Sequence, residues 1–270
     1  MTQNTALLPR IRAAFGSLLR SLTCPQQVRT NQDTGLIKLI ACLCMAVDHA
    51  GKMLFPDIPE MRLIGRLAFP LFAYGIAVGA VYTKDPMRYL TRIVLLALVS
   101  QPLYALGLAH ETSAMYAVSF LKSPVSAAWT FYVGSWHKPS ILLSLALGLC
   151  ILISLRNKRW ILAFGLYILC ERFSSSLDYG VAGIRLMLLF YVLCEHPLAA
   201  LAAVSSYMIA WSAGSGYTFF GHPFGMRIYA LPAAVFACLP LKRRMRLPKW
   251  FIYGFYPAHL VVLAILSRVL

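Results

Sequence analysis

The chain is a succession of apolar runs, at about residues 36–56, 64–82, 89–108, 139–155, 160–173, 180–195, 197–212, 227–241 and 250–268, separated by short basic clusters. A soluble domain of this length must cover a large surface with polar groups. Here only 13% of the 270 residues are charged and 60% are hydrophobic, with mean hydropathy +0.70, where an ordinary soluble chain carries about 25% charge. A soluble globular protein, a disordered chain and a disulfide-stapled secreted module are therefore excluded. The period-2 alternation of a membrane barrel is absent from the pattern, which leaves helices to satisfy the backbone within lipid. The expected fold is an all-α, polytopic integral membrane helical bundle of about nine transmembrane helices. Several runs fall short of the roughly 20 residues that a perpendicular crossing needs, which suits helices inside a bundle or a thinned bilayer.

A net charge of +16 raises the possibility of nucleic acid, but the basic residues sit between the apolar runs, as cytoplasmic loops do. The lipid bilayer is the expected partner, and nucleic acid is not. With the N-terminus cytoplasmic, the tail, Lys84 to Arg88, Arg156 to Arg159, the Glu195-His196 turn and Lys242 to Lys249 carry fourteen of the 25 Lys and Arg. The opposite face carries five: Arg62, Lys122, Lys138, Arg172 and Arg227. Residues 1–34 form a basic cytoplasmic tail in which Ile11, Ala14, Phe15, Leu18, Leu19 and Leu22 recur at helical spacing, the pattern of an amphipathic helix on the membrane surface. Residues 35–270 form a single transmembrane domain, without an internal repeat or a long linker. The aromatic stretch 109–138, broken by Lys122 and Pro124, suits an interfacial or re-entrant segment on the outer side. A tenth span at 110–136 would carry the Arg156–Arg159 cluster outside, against the charge bias. The seven cysteines show no CxxC pair and no metal-like spacing, and six lie in or beside apolar runs, where free thiols pack as small apolar groups. No metal is expected.

Ionisable groups within a span are costly and are candidates for function. The first span carries Lys38, Asp48, His49 and Lys52. Lys38 and His49 lie eleven residues apart, about three helical turns, so they share a face and are separated by roughly 16 Å along the axis. Lys38 stands at the cytoplasmic mouth, where it either lines the bundle or snorkels. Asp48 and Lys52 have the i,i+4 spacing of a helical ion pair. Counting back through Phe55-Pro56-Asp57-Ile58-Pro59 puts Arg66 at the depth of His49, with Arg62 one turn further out. Arg66 has the donors to hold a developing oxyanion, and equally the charge to bridge Asp48. Asp178-Tyr179-Gly180 opens a later span, with Asp178 a plausible N-cap and Arg185 about a turn and a half inward. Phe255-Tyr256-Pro257-Ala258-His259 brings a second histidine to mid-membrane beside a proline that frees a backbone carbonyl. His110, His137, His196 and His222 fall in loops and carry no signal. GxSxG, HExxH and phosphate-cradling Gly-rich loops do not occur.

Leu36-Ile37-Lys38-Leu39-Ile40-Ala41 running into Met45-Ala46-Val47-Asp48-His49-Ala50-Gly51, then Arg62-Leu63-Ile64-Gly65-Arg66-Leu67-Ala68-Phe69-Pro70-Leu71-Phe72-Ala73, resembles the opening of the TraX family. Ser176-Leu177-Asp178-Tyr179-Gly180-Val181-Ala182-Gly183 and Phe255-Tyr256-Pro257-Ala258-His259-Leu260 resemble that family's later motifs. The likeness runs in order from about 35 to 268. It implies a multi-pass protein of the bacterial inner membrane that acetylates the N-terminus of a conjugative pilin, with acetyl-CoA as co-substrate. The family is also similar to the wider acyltransferase-3 group, whose first span carries Arg or Lys, ten residues, then His, a spacing that Lys38 and His49 match. By this resemblance His49 is the catalytic histidine and Lys38 part of the acyl-CoA site. The wider group's arginine pair has a loose counterpart in Arg88 and Arg92, spaced by three residues and not two. The resulting expectation is an acetyl-CoA-dependent N-acetyltransferase in which His49, Asp48 and Arg66 do the chemistry, Lys38, Arg88 and Arg92 hold the donor, and Arg62, Asp178, Tyr179, Arg185, Tyr256 and His259 are further candidates. Two other classes stay open: O-acetylation of an envelope glycan, and a non-enzymatic transporter or pilus-assembly protein using Asp48, His49 and Arg66 as an ion relay.

Overall fold

The computed structural model describes residues 24–108, 110–219, 222–242 and 245–269. The amphipathic helix expected between Ile11 and Leu22 lies outside them. Among the described residues the α-helices are α1 Thr34–Met53, α2 Pro59–Gly65, α3 Ala68–Tyr82, α4 Pro86–Gly107, α5 Pro124–Ser135, α6 Ile141–Arg156, α7 Trp160–Arg172, α8 Gly180–Val192, α9 Pro197–Ser212, α10 Leu231–Cys238 and α11 Lys249–Val269. Every apolar run carries a helix. Four stretches are long and apolar enough to cross a membrane, namely Thr34–Met53, Pro59–Tyr82, Pro86–Gly107 and Trp250–Val269, and shorter apolar helices accompany them. The protein is thus a polytopic helical membrane bundle. One short piece departs from the helical expectation: Ala213–Phe219 and His222–Phe224 pair as an antiparallel two-stranded hairpin, β1 and β2.

Helix α3 forms the axis of the bundle, packed against α1, α6, α8 and α10. Its small residues explain why. Ala73, Ala77 and Ala80 are fully buried, as are Leu71 and Tyr74, and small side chains let membrane helices approach closely where lipid offers no hydrophobic drive. Pro70 has no N–H to give the Arg66 carbonyl, so the helix breaks between α2 and α3. The backbone there closes with shorter-range bonds, Arg66 N–H to the Leu63 carbonyl and Leu67 N–H to the Ile64 carbonyl, both at 3.2 Å. The break delivers Arg66 to the interior at the level of α1's last turns.

Before α1 the chain runs without helix or strand and buries Val28, Thr30, Asn31 and Asp33. Arg29 and Thr30 donate their N–H groups to the Cys194 carbonyl, and Gln32 donates to that of Leu241. The Tyr74 hydroxyl donates to the Asn31 carbonyl at 2.6 Å and meets the Thr30 hydroxyl at 2.7 Å. Asp33 caps α1 by accepting the Leu36 N–H, and the same oxygen accepts the Met245 N–H. The Cys24 thiol reaches the Arg156 carbonyl. This one segment therefore touches the connections after α6, α8 and α10, which gather at one end of the bundle. Arg62, His110, Lys138, Asp178 and Arg227 gather around a cavity elsewhere. Apart from His110 and Asp178, the two groups are the ones that the charge count separates.

At the start of α8 the expected cap is corrected. The N-cap residue is Tyr179, in the left-handed region at φ 59°, and Ser174 Oγ accepts the Val181 N–H. The chain turns through left-handed backbone at both Tyr179 and Gly180 (φ 56°), and Asp178 just before them lines the polar cavity. A Cβ on Gly180 would stand 2.8 Å from Ser174 Oγ. Gly180→Ala is therefore expected to cost about 1–2 kcal/mol, read as a lowered thermal midpoint in detergent, with Ala182→Gly as a helix-interior control of ordinary size.

Candidate active site

Two cavities lie end to end along α1. The first, about 210 Å³, is apolar apart from Lys38, and is walled by Cys42, Met45, Phe72, Tyr89, Leu145, Tyr253 and Tyr256 among others. Lys38 lies across Gly75 of α3, where a Cβ would come within 3.6 Å of its Cε. Among the described residues its ammonium makes no salt bridge. The second cavity, about 220 Å³, is polar and lined by Asp48, His49, Lys52, Arg62, Arg66, Tyr104, His110, Lys138, Asp178, Tyr179 and Arg227, with Met45, Phe72 and Ile141 shared between the two. Lys38 and His49 thus line the same interior from positions about three turns apart on α1.

His49 has a partner 210 positions away. Its Nδ1 lies 2.8 Å from Nε2 of His259, with the rings 14° apart, and His259 Nδ1 lies 2.8 Å from the Phe255 carbonyl oxygen. The order of these bonds fixes the protons. A carbonyl only accepts, so His259 carries its proton on Nδ1, and in the neutral ring its Nε2 then accepts. His49 must donate from Nδ1, which leaves the lone pair on its Nε2. Both rings are buried, each 8% exposed, so neither reorients freely.

Asp48 closes the other side. Its two carboxylate oxygens accept from Arg62 Nη1 at 2.9 Å and Arg66 Nη2 at 2.7 Å, and Arg62 Nη1 also reaches the Asp48 carbonyl. Arg66 Nε donates to the Arg62 carbonyl at 3.1 Å. Gly65 makes this possible, because a Cβ there would overlap the Asp48 carboxylate. The i,i+4 pairing of Asp48 with Lys52 gives way to this arrangement. Lys52 instead donates to the Leu108 carbonyl at 2.7 Å, one of the last carbonyls of α4, where a cation is favoured.

The profile described as TraX protein matches residues 33–267, which takes in both cavities and every helix from α1 to α10. The chain belongs to the TraX family. Membership and the apolar spans place this TraX-family protein among multi-pass inner-membrane proteins. Two curated proteins are similar over a shorter stretch. A probable fimbrial assembly protein FimC (serogroup H1) of Dichelobacter nodosus is 27% identical over 79 residues, 28% of this chain and 32% of that protein. An uncharacterized protein of Rickettsia prowazekii (strain Madrid E) is 33% identical over 78 residues, 29% of this chain and 31% of that protein. The chain thus matches about a third of the length of each. No solved structure matches.

The structure brings together Lys38, Asp48, His49, Arg62, Arg66, Asp178, Tyr179, Tyr256 and His259 along the two cavities. Tyr179 stacks on Phe69 at 4.1 Å. Three candidates stand apart. Arg88 and Arg92 are exposed on α4, Arg88 paired with Asp85 at 3.3 Å, although Tyr89 between them lines the apolar cavity. Arg185 faces α7, bonded to the Tyr167 hydroxyl and to Glu171, and lines neither cavity. The lining of the polar cavity also includes Lys52, which the sequence reading pairs with Asp48, and Tyr104, His110, Lys138 and Arg227, which it does not single out as site residues. His110, in the connection after α4, has its pKa pushed down to about 4, first by burial and then by Lys52 and Lys138. Among the described residues no cluster of His, Cys, Asp and Glu has metal-holding geometry.

Proposed function

We propose that this protein transfers an acetyl group from cytoplasmic acetyl-CoA to the N-terminal amine of a pilin subunit presented at the outer face of the inner membrane. The observation that carries the reading is the chain of contacts from the Phe255 carbonyl through His259 to His49 Nδ1, which leaves His49 Nε2 as the basic nitrogen in a polar cavity that meets the apolar one. In this reading the end of the bundle gathered by residues 24–33 faces the cytoplasm, and the shorter apolar helices complete about nine crossings of a thinned bilayer.

The apolar cavity suits the pantetheine arm of the donor, with Lys38 as the cation at its entrance. Arg88 and Arg92, exposed beside it on α4, add charge for the phosphates outside. The thioester then reaches the junction at Met45, Phe72 and Ile141. An α-amino group has a pKa of about 7.7–8.0, so much of it is already neutral. Its nitrogen attacks the thioester carbonyl, and the displaced N–H proton passes to His49 Nε2. Of the five N–H donors on Arg66, one is given to Asp48 and one to the Arg62 carbonyl. The remainder are available to the oxyanion, while Asp48 and Arg62 act as positioning residues. The carbon–sulfur bond breaks, and the proton on His49 returns to the thiolate leaving as CoA. Tyr179 and Asp178 border the acceptor's path, and Tyr256 borders the donor's. FimC's designation as a probable fimbrial assembly protein agrees with a fimbrial subunit as acceptor.

Proteoliposomes holding the protein, acetyl-CoA and a pilin subunit test this by intact mass. The expected result is one acetyl-sized increment on the N-terminal residue, with Lys38→Gln raising KM for acetyl-CoA about tenfold. An unchanged pilin mass at saturating donor, with the protein folded, overturns the pilin assignment.

A further inference from the structure

The polar cavity is strongly unbalanced in charge. Five cationic side chains line it, Lys52, Arg62, Arg66, Lys138 and Arg227, against two carboxylates, Asp48 and Asp178. Asp48 is already shared by Arg62 and Arg66. Among the described residues Lys138 and Arg227 make no salt bridge. Arg227 lies instead over the Trp211 ring at 5.1 Å, and Lys138 and Arg227 are both exposed at the rim. A cleft of one sign between low-dielectric walls concentrates the opposite charge.

We propose that this cavity is an anion site for the acceptor, which selects a peptide N-terminus followed within its first three residues by an aspartate or glutamate. The proposal rests on the acetyltransferase reading and names its substrate class. The donor's phosphates do not account for the surplus. Lys38, where they enter, is fourteen residues from Lys52 along α1, roughly 20 Å of helix. The spacing also sets the position of the acidic residue. His49 and Lys52 are one turn apart, about 4.5 Å in rise, and an extended peptide advances about 3.3–3.6 Å per residue. A carboxylate one or two residues beyond the reacting amine therefore comes level with Lys52 and the rim cations while the amine stands at His49.

The test compares two peptides with free N-termini, Ala-Asp-Gly-Ala-amide and Ala-Asn-Gly-Ala-amide, against the detergent-solubilised full chain by tryptophan fluorescence, and as acceptors in proteoliposomes. The acidic peptide is expected to bind and react at least tenfold better at low salt. That advantage should shrink to below threefold in the Lys138→Gln, Arg227→Gln double variant, with KM for acetyl-CoA unchanged. Equal behaviour of the two peptides overturns the proposal, as does a double variant whose defect is confined to acetyl-CoA. If the acidic peptide binds preferentially through Lys138 and Arg227 yet neither peptide is acetylated, the anion site stands and the acetyltransferase reading falls.

Discussion

His49→Gln is expected to lower the acetyl-transfer rate by about 10²–10⁴-fold, the range over which a positioned base contributes, with the protein still folded in the membrane. Glutamine is the informative substitution because it removes the basic lone pair yet keeps an amide N–H near His259 Nε2, and His49→Asn, whose amide stands at the δ position of the lost Nδ1, serves beside it as the closer mimic of that donor. His49→Ala removes both, and adds about 1–3 kcal/mol of instability for the unsatisfied His259 nitrogen. His259 acts through His49. His259→Gln offers an amide oxygen to accept from His49 Nδ1 and should retain more activity than His259→Leu, which releases the ring to the other tautomer. Single-turnover transfer from radiolabelled acetyl-CoA, followed across pH with the thermal midpoint measured alongside, separates these effects. Full activity in His49→Gln would remove the base from the mechanism.

Half of this dyad is legible in the sequence and half is not. Lys38 and His49 announce themselves because eleven residues of one continuous apolar helix fix both their common face and their separation. His259 is visible as a mid-span histidine, but its role depends on α11 packing against α1, a contact between segments 210 residues apart. The helices themselves follow from the apolar runs and their prolines, with Pro59, Pro86, Pro124 and Pro197 each at a helix start. The pairing of Ala213–Phe219 with His222–Phe224 is hidden because its glycine-rich stretch, Gly214-Ser215-Gly216, reads as a loop between apolar runs. Lys138 and Arg227 enter the sequence argument only as loop charges, and His110 only as a loop histidine. Nothing local says that three connections converge on one cavity. The Asp48–Lys52 pair fails for a related reason. Helical spacing permits it, but Arg62 on α2 and Arg66 just after it offer two guanidiniums in bonding geometry, and Lys52 finds the end of α4 instead.

Asp48→Ala is expected to destabilise the bundle by about 3 kcal/mol, the lower end of the range for stranding one side of a buried ion pair. The lower end applies because the three side chains keep 15–27% exposure. Two guanidiniums lose their counter-charge at once, and α2 loses the bonds that hold it against α1 beside Gly65. Against a total stability of about 5–15 kcal/mol this is a large fraction, so the variant should show a lower thermal midpoint and poor recovery after detergent extraction. Asp48→Asn keeps the shape but not the charge and should fall between the two. The decisive comparison adds Arg62→Gln to Asp48→Asn. If Asp48 serves to hold the arginines, removing one surplus cation restores part of the lost stability, and activity returns with it because Arg66 is again held in place. If Asp48 instead handles a proton in the reaction, stability recovers in the double variant while transfer stays at the level of Asp48→Asn. The bonds around Asp48 favour the first outcome, since each carboxylate oxygen already accepts from an arginine and His49 supplies the free lone pair.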